Sequence, residues 1–458
     1  MAINNNLSQF NELRNEYEVF TYKSFEYEIA SAGLEIVYSF VVDDFIEFNP
    51  RIIIPNHKSI DFKRISDNML SQMVFNIGMV ELISYWKAIC PKKVVINDYK
   101  LSDNQIAFWK KIYYHGLGEF FYLNGVKVSL GDFMQIEIAE NAQEMLVEGV
   151  DVEESALIPV GGGKDSVVSL ELLKGMKGSM ALIMNPRGAS TATANIAGFE
   201  SDTLVVKRFL DKKLLELNDK GFLNGHTPFS ALLAFVSVLA AAVSGKKYIA
   251  LSNESSANES TVVGTMVNHQ YSKSLEFETD FREYVRESLT KDIHYFSLLR
   301  PLSELQIASI FAKNSICFKD FRSCNVGSKT NIWCGKCSKC LFTFIILSPF
   351  ISHKVLVEIF GNNLLDNNEL KHFFDELIGV AEVKPFECVG TVDEVNIALC
   401  LTLKKYDGDL PYLLNYYKSV KKEAYCENAE RSVDLTYLEK EHFLEDKFLN
   451  LIKTSLDA

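Results

Sequence analysis

Ala156-Leu157-Ile158-Pro159-Val160-Gly161-Gly162-Gly163-Lys164-Asp165-Ser166-Val167-Val168-Ser169-Leu170-Glu171-Leu172-Leu173 passes from an apolar strand pattern through three glycines into a helical pattern. A strand that feeds a helix through such a turn opens a parallel α/β sheet, and the turn lies at the strand's carboxyl end, where these sheets collect ligands. Glycines let the backbone approach an anion without side-chain collision. The N–H groups of the first helical turn then point at that anion, and a lysine adds positive charge. Gly161, Gly162, Gly163, Lys164, Asp165 and Ser166 are therefore expected to bind phosphate. A Walker loop requires Ser or Thr directly after its lysine to place a hydroxyl on Mg²⁺. Asp165 occupies that position, so this is not a Walker loop.

The turn resembles instead the PP-loop of the ATP pyrophosphatases, Ser-Gly-Gly-x-Asp-Ser, with Gly161 standing where that pattern has Ser. The resemblance implies a HUP-like fold, cleavage of ATP between the α and β phosphates, and adenylation of a substrate. Asp165 then reads as a catalytic carboxylate that acts through Mg²⁺ on the pyrophosphate.

Around this turn, strand and helix patterns alternate as in a doubly wound parallel sheet, with strands at Leu157–Val160, Met180–Met184, Thr203–Val206 and Tyr248–Leu251. Asn185 and Asn253-Glu254 lie just past two of those strand ends, so they are expected to meet the nucleotide in the same cleft as the glycine turn. Phe229 to Ser244 is apolar on every side and is preceded by Thr227-Pro228 as cap and first helical residue. Gly245 stops it. At 1.5 Å per residue it spans roughly 25 Å, short of a ~30 Å hydrocarbon core, so it reads as a buried helix rather than a membrane span.

The 458 residues exceed one core and suggest three regions: an N-terminal α+β domain over 1–150, the nucleotide domain over 151–349, and a helical C-terminal region over 350–458. In the first, Val37–Val42 and Arg51–Pro55 read as strands. Met69 to Ala88 reads as a helix, and Ser102-x-x-Gln105 as a capping box. The acidic stretch Glu148–Glu154 reads as a linker, and Leu370, Phe373, Phe374 and Leu377 as one apolar helix face.

A net charge of −13 without any Lys/Arg-rich run argues against nucleic acid as a partner. The N-terminus shows neither the basic start nor the apolar segment of a secretory signal. Nine mostly scattered cysteines fit a reducing cytoplasm, with Cys90, Cys317, Cys388, Cys400 and Cys426 as small buried hydrophobes.

The other four are clustered: Cys324, then Cys334-Gly335-Lys336-Cys337-Ser338-Lys339-Cys340. Thiolates at two-residue spacing can turn toward one ion, and four complete the closed shell of a structural Zn²⁺. An iron–sulfur cluster on the same ligands is a second reading, and paired catalytic thiols a third. The polar density of Leu251 to Glu259 and of Val267 to Ser274 suggests a site, with His269, Glu254 and Glu259 as acid/base candidates.

Taken in order, these segments resemble the MurL epimerase family. Further likenesses are Met79 to Lys87, Gly116 to Tyr122, Gly225-His226-Thr227-Pro228-Phe229-Ser230 and Asn268 to Ser274. The resemblance implies an isomerase of peptidoglycan precursor synthesis. It would use ATP and Mg²⁺ to invert the terminal glutamate of UDP-MurNAc-L-Ala-L-Glu through an acyl-adenylate, releasing AMP and diphosphate. Lys164, Lys273, Arg282 and Arg300 are candidates for a positive pocket around UDP. The cysteine spacing also resembles the QueC-like carboxylate-adenylating enzymes, and a non-catalytic ATP sensor is the reading outside enzymology.

Overall fold

The computed structural model describes residues 5–262, 267–420, 426 and 434–457. Its strands are β1 (Val19–Ala30), β2 (Gly33–Val42), β3 (Ile46–Phe48), β4 (Arg51–Pro55), β5 (Lys93–Ile96), β6 (Gln135–Ile138), β7 (Glu153–Pro159), β8 (Met180–Met184), β9 (Thr203–Phe209), β10 (Lys246–Leu251) and β11 (His294–Ser297). The chain is mixed α/β and groups into two units, each discontinuous in sequence. Unit 1 is Met1–Leu157, Leu204–Ile249 and Met266–Tyr295, and unit 2 is Ile158–Thr203, Ala250–Thr265 and Phe296–Ala458.

In unit 1, β2 pairs antiparallel with β1, β3 and β4, and β4 pairs antiparallel with β9. β5 lies parallel to both β1 and β6, and β10 runs parallel to β7 with Tyr248 opposite Ala156. Leu34, Ile36, Tyr38, Phe40 and Val42 alternate along β2 and are all fully buried. The helix Asp67–Trp86 packs against β1 and β2, and the Tyr38 hydroxyl donates to the Val74 carbonyl at 3.1 Å. Gly78 permits this approach, because a Cβ there would stand 2.0 Å from the Tyr22 hydroxyl.

The helix Phe229–Ser244 packs on Asp67–Trp86 and ends at Gly245 in the left-handed region, as its sequence predicts. Its start differs by one residue. Pro228 is the cap, with ψ 71°, because the Phe229 N–H bonds back to the Thr227 carbonyl at 2.7 Å in an inverse γ-turn. The capping box at Ser102 and Gln105 forms as expected. The predicted linker is tied into unit 1: Glu148 accepts from Ser66 and Asn68 at 2.6 and 2.7 Å, and β7 already begins at Glu153.

In unit 2 the Val160 N–H donates to the Leu182 carbonyl at 2.8 Å, and Leu298 to Leu251 at 2.7 Å, fixing the strand exits that precede the loops of interest. The helices Glu304–Ala312, Ser338–Leu347 and Val392–Lys405 pack on one another. Leu370, Phe374 and Leu377 are buried, while Phe373 is half-buried. The structure corrects two cysteine expectations: Cys400 and Cys426 are joined in a disulfide rather than acting as separate buried hydrophobes. Cysteine usage therefore no longer argues for a reducing compartment. Among the described residues no helix is long and apolar enough to cross a membrane.

Candidate active site

Within unit 2, the glycine turn leads into the helix Lys164–Leu173, whose cap, Gly163, makes no side-chain hydrogen bond. The first N–H groups of that helix form a ready anion site. Gly162 has φ +90°, and a Cβ there would lie 2.5 Å from the Ser190 nitrogen, so only glycine fits. The loop is braced from Arg322, whose N–H donates to the Gly162 carbonyl at 2.8 Å. Ser323 stands so close that a Cβ on Gly163 would meet its Oγ at 2.7 Å. Ser166 turns its Oγ inward and accepts from the Gly161 N–H at 3.0 Å.

Lys164 differs from its expected pose. It is only 2 % exposed, and its ammonium bonds to Asp165 and Glu304. Burial opposes that charge, but Asp165 and Glu304 outweigh it and move the lysine pKa upward. Glu304 is pushed up to about 8 by burial, against the pull of Lys164, with Asp165 and Glu254 adding to the rise. Burial also raises Glu394, which accepts from the Glu304 N–H at 2.7 Å. Lys164 thus faces more than one carboxylate, and Lys339 also acts on Glu304.

Glu254 acts electrostatically on Glu304 and is buried. Glu304 and Glu394 are absent from the sequence-based candidates, although Ser303-x-x-Gln306 and Thr391-x-x-Glu394 are visible capping boxes. Asn253 donates to the Ser297 Oγ at 3.0 Å, and Asn185 is exposed at φ 51° after β8. Glu259 is ion-paired with Lys384. Of the basic candidates for UDP, Arg300 is 1 % exposed and donates to the Glu254 carbonyl at 2.6 Å. Arg282 donates to the Tyr295 carbonyl in unit 1.

Cys324, Cys334, Cys337 and Cys340 come together in unit 2 with Sγ separations of 3.8 Å (324–337), 3.7 Å (334–340) and 3.4 Å (337–340). Four sulfurs about 2.3 Å from a tetrahedral ion lie about 3.8 Å apart, so the cage fits zinc, whereas disulfides need about 2.05 Å. Gly335, at φ +65°, turns the short spacer, and the N–H groups of Gly327 and Lys336 donate to Cys324 and Cys334 at 3.1 and 3.4 Å. Cys324 directly follows Arg322 and Ser323, the residues against the glycine turn.

His269 lies in unit 1. Its Nδ1 is 2.6 Å from Glu119 Oε2, and His226 Nδ1 is 3.7 Å from the same oxygen. The two imidazole centroids are 4.5 Å apart, with planes at 47°. Two loops bring them to the helix Gly118–Leu123, which carries Glu119. Gly225 packs on Phe120, where a Cβ would meet the ring at 3.0 Å, and Gly118 faces Val267. Lys87 fastens the first loop by donating to the Asn224 Oδ1 at 3.2 Å and to the Gly225 carbonyl. Two ligands on a tetrahedral ion with bonds of about 2.0 Å sit about 3.3 Å apart, so the 2.6 Å contact is a hydrogen bond rather than shared metal coordination. Glu119 and His226 were not among the sequence-based site residues; both occur in stretches that carry the family resemblance, but nothing local marks them as neighbours.

Burial pushes the His226 imidazole down to about 4, aided by His269, Lys87 and Lys273 and opposed by Glu119. An unfolded histidine titrates near 6.5, so between about 6.5 and 4 the unfolded chain takes up a proton that the folded chain declines. Stability present above that window is lost as pH falls through it. The urea midpoint of the native protein should therefore drop more steeply from pH 7 to pH 5 than that of His226→Gln, and parallel curves would refute the assignment.

The MurL N-terminal domain model matches residues 11–298 and the MurL C-terminal domain model residues 315–431. The chain is similar to proteins named UDP-N-acetyl-alpha-D-muramoyl-L-alanyl-L-glutamate epimerase. That of Xanthomonas oryzae pv. oryzae is 39 % identical, covering 71 % of this chain and 73 % of the relative. That of Salinispora tropica is 31 % identical over 85 % and 86 %. That of a Micromonospora species is 34 % identical over 72 % and 75 %.

Proposed function

This chain belongs to the MurL family, and we propose that it is an isomerase of peptidoglycan precursor synthesis that inverts the terminal L-glutamate of UDP-MurNAc-L-Ala-L-Glu. ATP and Mg²⁺ support the inversion through an acyl-adenylate, with AMP and diphosphate released. The observation that carries the nucleotide half is the glycine turn, a helix start without a side-chain cap, ringed by Asp165, Glu254 and Glu304.

Inversion alone needs no energy input, but it does need an acidic α-proton. Removing a proton beside a carboxylate puts a second negative charge next to the first. Adenylation removes the first charge and lets the anhydride carbonyl delocalise the carbanion. Bound ATP would supply the adenylyl group, and Mg²⁺ would supply the charge that offsets diphosphate. In unit 2 the backbone of Gly161, Gly162 and Gly163 holds the phosphates. Asp165 and Glu304, which both bond to the Lys164 ammonium, would hold a divalent cation, and that cation would supply charge neutralisation at the phosphates. Cys324, Cys334, Cys337 and Cys340 would hold a structural Zn²⁺ that keeps Arg322 and Ser323 against the turn. In unit 1, His269, its tautomer fixed by Glu119, transfers a proton at the glutamate α-carbon.

The test is incubation with ATP, Mg²⁺ and UDP-MurNAc-L-Ala-L-Glu in D₂O, reading glutamate chirality, α-deuterium and AMP. D-glutamate, deuterium and AMP should appear together and only with ATP, and an α,β-methylene analogue should not replace it. Deuterium entering the L-substrate without nucleotide would defeat adenylation as the first step.

A further inference from the structure

We propose that Glu394, from the C-terminal helical region, is a positioning residue of the nucleotide site that holds Glu304 against Lys164 beside the glycine turn; this rests on the nucleotide reading above. All three residues belong to unit 2.

Glu394 is the third residue of the helix Val392–Lys405 and closes a capping box with Thr391. Its Oε2 accepts from the Thr391 N–H at 2.8 Å and from the Thr391 hydroxyl at 3.0 Å. That much is ordinary capping. Its Oε1 leaves the helix altogether and accepts from the Glu304 N–H at 2.7 Å. Glu304 opens the helix Glu304–Ala312, whose own cap, Ser303, accepts from Gln306 instead. One buried carboxylate therefore serves the first turns of two helices, where unpaired N–H groups and the helix dipoles both favour negative charge.

The tie reaches the glycine turn through a single residue. Glu394 fixes the Glu304 backbone, and the Glu304 side chain bonds the ammonium of Lys164, the residue directly after the three glycines. Glu304 and Lys164 are 1 % and 2 % exposed, so close packing leaves them little room to adjust. Gly390 packs against both carboxylates: a Cβ there would stand 3.0 Å from Glu304 Cγ and 3.0 Å from Glu394 Oε2. Lys384 anchors this stretch, donating its ammonium to the Gly390 carbonyl at 2.9 Å and to Glu259, and its N–H to the Thr261 carbonyl at 3.1 Å. Functional constellations hold their geometry to about 0.5 Å, and groups that orient a metal ligand are worth roughly 10–100-fold in metal affinity. A carboxylate that capped only its own helix would have no such effect.

The experiment compares full-length Glu394→Gln, Gly390→Ala and Thr391→Val with the native protein. Glutamine keeps the capping box with its one oxygen and turns an N–H donor at the Glu304 N–H, whereas Thr391→Val removes the hydroxyl of the box and leaves the bond to Glu304 in place. Binding of Mn²⁺ together with the α,β-methylene analogue of ATP is followed by electron paramagnetic resonance. The thermal midpoint and the Mg²⁺ dependence of AMP formation are measured beside it. Glu394→Gln should weaken Mn²⁺–nucleotide binding by about tenfold or more and raise the half-saturating Mg²⁺ to match, with the rate at saturation largely kept. Thr391→Val should lower the midpoint but bind within about threefold of native, since it spares Glu304. Gly390→Ala crowds both carboxylates without removing a charge and should weaken binding in the same direction, which keeps the test open if Glu394→Gln does not fold. Native-like binding in Glu394→Gln and Gly390→Ala, or a loss no larger than that of Thr391→Val, overturns the positioning role. A native protein that binds no Mn²⁺–nucleotide would instead overturn the nucleotide reading beneath it.

Discussion

Asp165→Ala should lower AMP formation by roughly a thousandfold, because a divalent ion at a phosphate loop is worth several kcal/mol of charge stabilisation and this carboxylate stands in the first helical turn after the glycines. The fold should survive. Asp165 is partly exposed in the first turn of Lys164–Leu173, and its helix-dipole term is worth only about 0.3–1 kcal/mol. Lys164 keeps Glu304 as a partner when Asp165 is lost. The check is single-turnover AMP release at saturating ATP and Mg²⁺, beside a thermal midpoint. A loss near tenfold would reduce Asp165 to a helix-start residue, and unchanged AMP release would remove nucleotide chemistry from this loop.

Cys337→Ser should remove metal, stability and adenylation together. Metal binding at a four-thiolate cage is itself folding free energy, about 10–16 kcal/mol in isolated zinc peptides. Cys337 sits between two sulfur neighbours, 3.8 Å from Cys324 and 3.4 Å from Cys340. The loop that ends at Cys324 also carries the Arg322 N–H bonded to Gly162. The expected outcome is loss of one zinc per chain, a thermal midpoint lower by ten degrees or more, and weaker ATP binding. Elemental analysis of the native protein that finds neither zinc nor iron would defeat the cage and make the thiols acid/base candidates.

Much of the local structure was legible in the sequence. The glycine turn, the cysteine spacing, the capping box at Ser102 and the proline before Phe229 are short-range patterns, and the strand Met180–Met184 has the expected bounds. The partners of the charged residues were not legible. Lys164 and Glu304 are 140 residues apart, and Glu119 and His269 are 150 apart. The link between Cys400 and Cys426 escaped for a similar reason, since spacing does not show which thiols packing will bring together.

The sequence by itself determined the elements, because hydrophobic period, caps and glycine positions act within a few residues. It also determined the cysteine quartet, since thiols two residues apart around Gly335 can close on one ion with little help from the rest of the chain. Only the tertiary structure decided the electrostatics. It turned Lys164 toward Glu304, paired Glu259 with Lys384, and set His226 beside Glu119 and His269. Burial and charged neighbours set a protonation state, and both arise from packing between segments far apart in the chain.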